Sequence, residues 1–255
     1  MIEVLITALG VGGATVIGAL IGFLFKNISH KFSDIVLSFA AGIMLSASIF
    51  GLIIPSIEYG INLYGEVLSI IITILGIFAG AIILSVIDKA VPHIHKMLGD
   101  DIKEHDATKL NKVLLFVLAI AIHNFPEGIA SGVGFGTGDV SGALVIAGGI
   151  ALQNIPEGMV IISPLLASGV SKSKTLIIAV ITGLFEVIGT FIGYFAVQIS
   201  AVILPFMLAF AGGTMLYVIS DEIIPETHSH GVQKGATYAL LVGFSVMLVL
   251  DVLLG

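Results

Sequence analysis

The sequence contains no cysteine, no tryptophan and no arginine, and only 11% of its residues are charged. Without cysteine there is neither a disulfide framework nor a thiolate metal site, and the redox compartment stays undefined. Without tryptophan an aromatic belt at a membrane surface is weakly marked. The shortage of charge excludes most. A soluble domain carries about 25% charged residues, because a compact fold must clothe its surface in polar side chains. What is present instead is 57% hydrophobic residues and a mean hydropathy of +1.16. Glycine is frequent, at 31 of 255 residues, which suits helices that approach closely in lipid. The net charge of −7 fits cation attraction weakly and says nothing about nucleic acid. The opening stretch MIEVLITALG has no basic segment ahead of its apolar run, so it reads as a retained first helix rather than a cleaved signal peptide. Together these features predict a multi-pass membrane protein with one transmembrane domain over 1–255.

A bilayer core of about 30 Å takes roughly 20 apolar residues in a helix. Windows of that kind fall at about 2–25, 34–57, 63–87, 112–135, 141–168, 173–199, 202–226 and 235–254. They predict an all-α integral membrane protein of eight helices. The runs are long and do not alternate, which disfavours a β-barrel. The ten lysines supply the orientation. Lys26 and Lys31 lie between the first two helices, and Lys89, Lys96, Lys103, Lys109 and Lys112 between the third and fourth. Lys172 and Lys174 separate the fifth and sixth, and Lys234 the last two. By the positive-inside rule those four loops are cytoplasmic and both termini extracytoplasmic. The longest loop, 88–112, carries His93, His95 and His105. It reads either as a solvated linker or as a weak metal-collecting loop, since neutral imidazole is a common ligand.

Two polar stretches interrupt the apolar runs: AIHNFPEGIA at 121–130 and ALQNIPEGMV at 151–160. His123 and Glu127 are four residues apart, as are Gln153 and Glu157, so each pair shares a helical face. Asn124 and Asn154 lie on the adjacent strip. Pro126 and Pro156 free the carbonyls of Ile122 and Leu152 and predict kinks. Freed carbonyls are tolerable at membrane depth only inside protein or along a watery cavity. Gly128 and Gly158 leave room for a close helix contact or an ion. Glu186 falls at a similar depth in the sixth helix. A carboxylate at the bilayer centre costs about 2.5–3.5 kcal/mol, and no lysine or arginine occurs at that level. Protonation could neutralise Glu127, Glu157 and Glu186; a bound dication would do so better. Imidazole, carboxylate and amide oxygens suit Zn²⁺, Fe²⁺, Mn²⁺ or their analogues rather than monovalent copper. Any one of these residues taken singly also reads as a helix–helix hydrogen-bonding device, but the duplicated motif with Glu186 at matching depth favours an ion.

HNFPEG at 123–128 and QNIPEG at 153–158 resemble the paired motifs of the ZIP family of divalent metal transporters. ITGLFEVIG at 181–189 resembles that family's sixth helix, ISDEIIPETHSH at 219–230 the end of the seventh in its GufA-like bacterial branch, and AAGIMLSAS at 40–48 the second. The resemblance implies eight helices in a 3 + 2 + 3 arrangement, in which helices 1–3 and 6–8 form an inverted repeat around the central pair. It implies transport of a divalent cation into the cytoplasm across a cell inner membrane, with the ion as substrate and no further cofactor, and it permits a homodimer. By the same likeness one metal position uses His123, Glu127, Gln153 and Glu157 with Met44 nearby. A second uses Asn124, Asn154 and Glu186, bridged by Glu127 and Glu157. The GufA-like branch often has Asp at position 154; Asn154 removes one negative charge from the second position.

Glu58 and Asp251, at the outer ends of helices two and eight, form either an electronegative entrance or plain helix-end carboxylates. Asp88, Asp221, Glu222, Glu226, His228 and His230 gather near cytoplasmic helix ends, where they either relay the ion outward from the site or have no part in its path. Two rival functions remain. One is a proton- or sodium-coupled carrier of an organic substrate. The other is an intramembrane metalloprotease, for which the usual HExxH is missing because Asn124 follows His123.

Overall fold

Apolar runs become helices throughout the parts of the chain that the computed structural model describes, residues 1–25, 28–90, 124–167 and 169–254. Lipid leaves backbone groups no partners but each other, so a spanning segment closes its own hydrogen bonds. Helix α1 covers Ile2–Gly22. α2, His30–Ser46, starts earlier than hydropathy predicts because Ser29 caps it, its hydroxyl accepting the Phe32 N–H at 3.3 Å. After a π-helical stretch, Ala47–Ile53, the same span continues as α3, Ile54–Tyr64. Gly65, at φ +78°, turns the chain directly into α4, Glu66–Ala90; few residues other than glycine adopt that φ. α5 covers 124–134. α6, Val140–Val160, is capped by Asp139, runs through Pro156 and stops before α7, Ile162–Ala167. α8, Lys172–Ile199, is capped by Ser171. α9, Leu204–Val218, passes through a second π stretch, Ile219–Ile223, into α10, Ile224–Thr227. α11 covers Gln233–Leu254.

Among the described residues seven helical spans are long and apolar enough to cross a membrane. The expected fourth span enters the description only at Asn124; His123, Lys26 and the expected loop beyond Ala90 lie outside the described residues. α4 shows what surrounds the molecule. Leu68, Ile71, Leu75, Phe78, Ile82 and Val86 are all exposed along it, an apolar surface that water would not tolerate and lipid tails would. The chain is an integral membrane protein.

Contacts at the helix ends settle the path. Val4 packs with Phe135 and Ala143. The Tyr59 hydroxyl donates to the Thr137 carbonyl at 3.1 Å, that of Ser141 to the Leu254 carbonyl at 2.6 Å, and that of Tyr64 to the Val202 carbonyl. Those residues define one end. Phe23, Ile162 and Ala179 cluster at the other, where Asp34 also meets His230. The path therefore alternates, and α1 and α8 begin at opposite ends. Met1 and Leu254 share one end; Lys31, Lys172, Lys174 and Lys234 share the other.

The packing repeats itself. A methyl group added at Gly12 would lie 2.3 Å from the Gly183 carbonyl, and one at Gly183 would lie 2.3 Å from that of Gly12. Such reciprocity marks a two-fold relation between α1 and α8. It extends outward: Gly18 abuts Ile155 as Gly189 abuts Phe125, and Gly42 abuts Leu240 as Gly213 abuts Ile77. α11 thus packs on α2 as α4 packs on α9. The first three and last three spans are an inverted repeat, with α5 and α6 exchanging places between them. Both π stretches fit the same scheme, since each runs into Ile–Ile–Pro, at 53–55 and 223–225. Proline has no N–H for the turn before it, and the ladder upstream slips to a wider turn.

Candidate metal centre

α5, α6, α8 and α1 converge at mid-membrane, and glycines permit the approach. A methyl group at Gly128 would lie 2.2 Å from the Glu186 carbonyl, and one at Gly158 would lie 2.1 Å from that of Thr15. Of the two uses expected for these glycines, the close helix contact is the one present.

Glu186 sits at the middle of α8 with no exposed surface. Its Oε1 accepts from the Thr15 hydroxyl at 2.7 Å and from the Asn124 amide; its Oε2 accepts from the Asn154 amide at 2.6 Å. The Asn154 amide also reaches the Val11 carbonyl at 3.3 Å. Three donors from three other helices therefore converge on one carboxylate.

The facing side of the cluster differs. Glu127 is 1% exposed and Gln153 fully buried. Glu127 lies close enough to feel the charges of Glu157 and Glu186, and Gln153 stands beside it. Yet among the described residues Glu127 Oε2, both polar atoms of the Gln153 amide and Asn154 Oδ1 find no hydrogen-bond partner of proper geometry. Buried polar groups are rarely left so. Glu157 is half-buried. This side thus offers oxygens with unused lone pairs, the donor set a hard or borderline cation takes.

No three His, Asp or Glu side chains among the described residues already converge as a ligand group. Glu186 is turned to its hydrogen-bond donors, and His123 lies outside the described residues. Met44 is 1% exposed within the main apolar core, together with Met215, its counterpart in the repeat. Its surroundings are those of a packing residue.

Away from the centre, Glu58 is exposed on α3, which continues past it to Tyr64 rather than ending there, and Asp251 is half-buried on α11; both lie toward the end that holds the termini. Asp221 is exposed and accepts from the Tyr217 hydroxyl at 3.2 Å; Glu222 and Glu226 are half-buried. Asp88 lies on the last turn of α4. His228 is fully engaged: Nδ1 lies 2.9 Å from the Ile224 carbonyl and Nε2 lies 3.2 Å from Thr237 Oγ1, tying α10 to α11. His230 Nδ1 meets Asp34 at 3.2 Å, and its ring stacks on His30 at 4.8 Å. Asp34 is 2% exposed and, with His30, was absent from the expected set. The four-residue spacing of His30 and Asp34 on one face of a helix start is the signal that marks them.

A family model described as the ZIP zinc transporter matches residues 93–251. The zinc transporter GufA of Myxococcus xanthus is 40% identical over 253 residues, covering 98% of each chain. The zinc transporter ZIPB of Bordetella bronchiseptica is 38% identical, over 95% of this chain and 78% of its own. The zinc transporter ZupT of Chlorobaculum parvum is 35% identical, over 93% and 92%.

Proposed function

The chain belongs to the ZIP family of zinc transporters, and from that premise we propose that it moves a divalent cation, Zn²⁺ foremost, into the cytoplasm through the centre between α5, α6 and α8. The ion is held by His123, Glu127, Gln153 and Glu157. Fe²⁺, Mn²⁺ and Cd²⁺ share the same ligand preferences and compete for the place. One observation carries the reading. Glu127 Oε2 and Gln153 Oε1 are buried at mid-membrane without a hydrogen-bond partner among the described residues, at a level where the sequence places no lysine or arginine. A dication supplies what such acceptors lack.

The inverted repeat supports alternating access, because sites at the interface of such repeats are exposed first to one face and then to the other by rocking of the two halves. Lys31, Lys172, Lys174 and Lys234 crowd one end of the molecule, which makes that end cytoplasmic by the positive-inside rule. The termini are then extracytoplasmic, in a cell inner membrane. Glu58 and Asp251 draw cations toward the outer end. Asp221, Glu222, Glu226 and His230 receive them on the inner side.

Radiometal uptake into proteoliposomes tests the proposal directly. Zn²⁺ is expected to enter and to be displaced by Cd²⁺, Fe²⁺ and Mn²⁺ in a measurable order, with uptake lost in His123→Ala and Glu157→Ala. Unchanged uptake in both variants, inserted normally, overturns the site. Uptake of an organic solute driven by H⁺ or Na⁺, with no metal dependence, favours the rival carrier.

A further inference from the structure

We propose, resting on the site reading above, that this chain holds one divalent ion at a time in the membrane, and that Glu186 is a buried positioning residue fixed by Thr15, Asn124 and Asn154 rather than a ligand. Donor capacity comes first. The two oxygens of Glu186 receive three donors, one hydroxyl and two amides. An asparagine ligates a metal through its oxygen, never its N–H₂ group. Beside a carboxylate the amide must present nitrogen, since turning its oxygen inward would set two acceptors face to face. Both asparagines therefore spend their donor side on Glu186.

Space comes second. Oxygen ligands lie about 2.0–2.2 Å from Zn²⁺, so two on one tetrahedral ion stand about 3.4 Å apart. The Asn154 nitrogen lies 2.6 Å from Glu186 Oε2, in direct contact, with no room for an ion between them. Hydrogen-bond partners come third. Asn154 Oδ1, Glu127 Oε2 and the Gln153 amide, in the same cluster as Glu186, have no hydrogen-bond partner among the described residues. Three protein donors hold one carboxylate in place, and the oxygens without described partners offer one place for a cation.

Residue 154 is the pivot. An aspartate there could not donate to Glu186, and two facing carboxylates would call for a second cation. Thr15 is the other support. It occupies the position in α1 equivalent to Glu186 in α8, so the repeat that duplicates the scaffold supplies a hydroxyl to hold its partner's carboxylate.

Counting metal settles this. Purified protein in nanodiscs is loaded with Zn²⁺, stripped of loose ion by gel filtration, and its zinc measured by inductively coupled plasma mass spectrometry. Subtracting the count for Glu127→Gln from that for the unaltered protein removes whatever cytoplasmic histidines bind. The expected difference is one ion per chain. Glu186→Gln is expected to keep that ion at saturation while weakening its Kd by about 10-fold or more, as altered orienting groups do. Asn154→Asp is expected to hold two. A difference of two that falls to one in Glu186→Gln overturns the proposal, as does loss of the single ion from Glu186→Gln at saturating Zn²⁺, or an Asn154→Asp protein that stays at one. A zero difference between the unaltered protein and Glu127→Gln overturns the underlying site as well. The variants at 154 and 186 are independent, so misfolding of one leaves the other decisive.

Discussion

α5 and α6 carry the same motif thirty residues apart, yet the two copies sit in different surroundings. Pro126 and Glu127 are buried, whereas Pro156 and Glu157 are half-buried. A perfect two-fold would bury them equally. The glycine contacts around them are nearly perfect: Gly18 against Ile155 matches Gly189 against Phe125. The scaffold is symmetric, then, and access to the site is not. An inverted repeat has two ways to break its symmetry, and a transporter that alternates between them needs the two to be close in energy. The largest effect that probes this comparison is on transport. Glu127→Gln and Glu157→Gln should each lower Zn²⁺ uptake by at least about 100-fold, the upper range for disturbed groups around a metal. Uptake that survives in one of the two would show that the motifs have divided their labour.

The repeat itself can be broken next. Gly12→Ala and Gly183→Ala each drive a methyl group to 2.3 Å from a backbone carbonyl, and overpacking of that kind costs about 1–3 kcal/mol. Because a two-fold relates the two contacts, the two variants should lose thermal stability in detergent by nearly equal amounts. Gly13→Ala is the control, since nothing lies within 4 Å of the added carbon. Unequal losses at 12 and 183 would mean that α1 and α8 are not equivalent in the folded bundle.

A further expectation runs against the first. Glu127 is buried with an oxygen that lacks a partner among the described residues, and leaving such a group unsatisfied costs about 1–3 kcal/mol. Glu127→Gln should therefore raise the melting temperature of the metal-free protein while it abolishes uptake, a trade familiar at functional sites. Glu157→Gln, half-buried, should gain less than half as much. The ordering is the point: equal gains would show that the difference in burial does not reach the carboxylates.

Much of this architecture is legible in the sequence because lipid imposes a length. Runs of about 20 apolar residues must be spans, and lysines confined to alternate loops give the path. The duplicated PEG motif shows itself because proline and glutamate are so costly there. The larger repeat is hidden. Its identities are scattered glycines and a methionine pair, Met44 and Met215, and the register slips by one residue before Pro55 and Pro225, where the π stretches lie. A single inserted residue inside a helix leaves hydropathy unchanged. Thr15 was invisible for another reason: a hydroxyl in an apolar helix reads as filler until Glu186 is found 2.7 Å away. His30 and Asp34 were missed because a hydropathy window stops at charge, whereas the helix starts at its cap, Ser29.

The smallest expected effect compares two buried carboxylates. Asp34, like Glu127, keeps one oxygen without a hydrogen-bond partner among the described residues, but its other oxygen faces His230. That imidazole is 33% exposed, so water and salt screen the pair, and such pairs contribute below about 1 kcal/mol. His230→Ala should therefore lower the melting temperature only slightly. Transport is the sharper readout. If Asp34 and His230 only fasten α2 to the segment before α11, uptake will follow stability and hardly change. If they receive the ion as it leaves the midmembrane centre, initial uptake rates will fall several-fold while melting scarcely moves. The two curves, measured on one preparation, separate a latch from a relay.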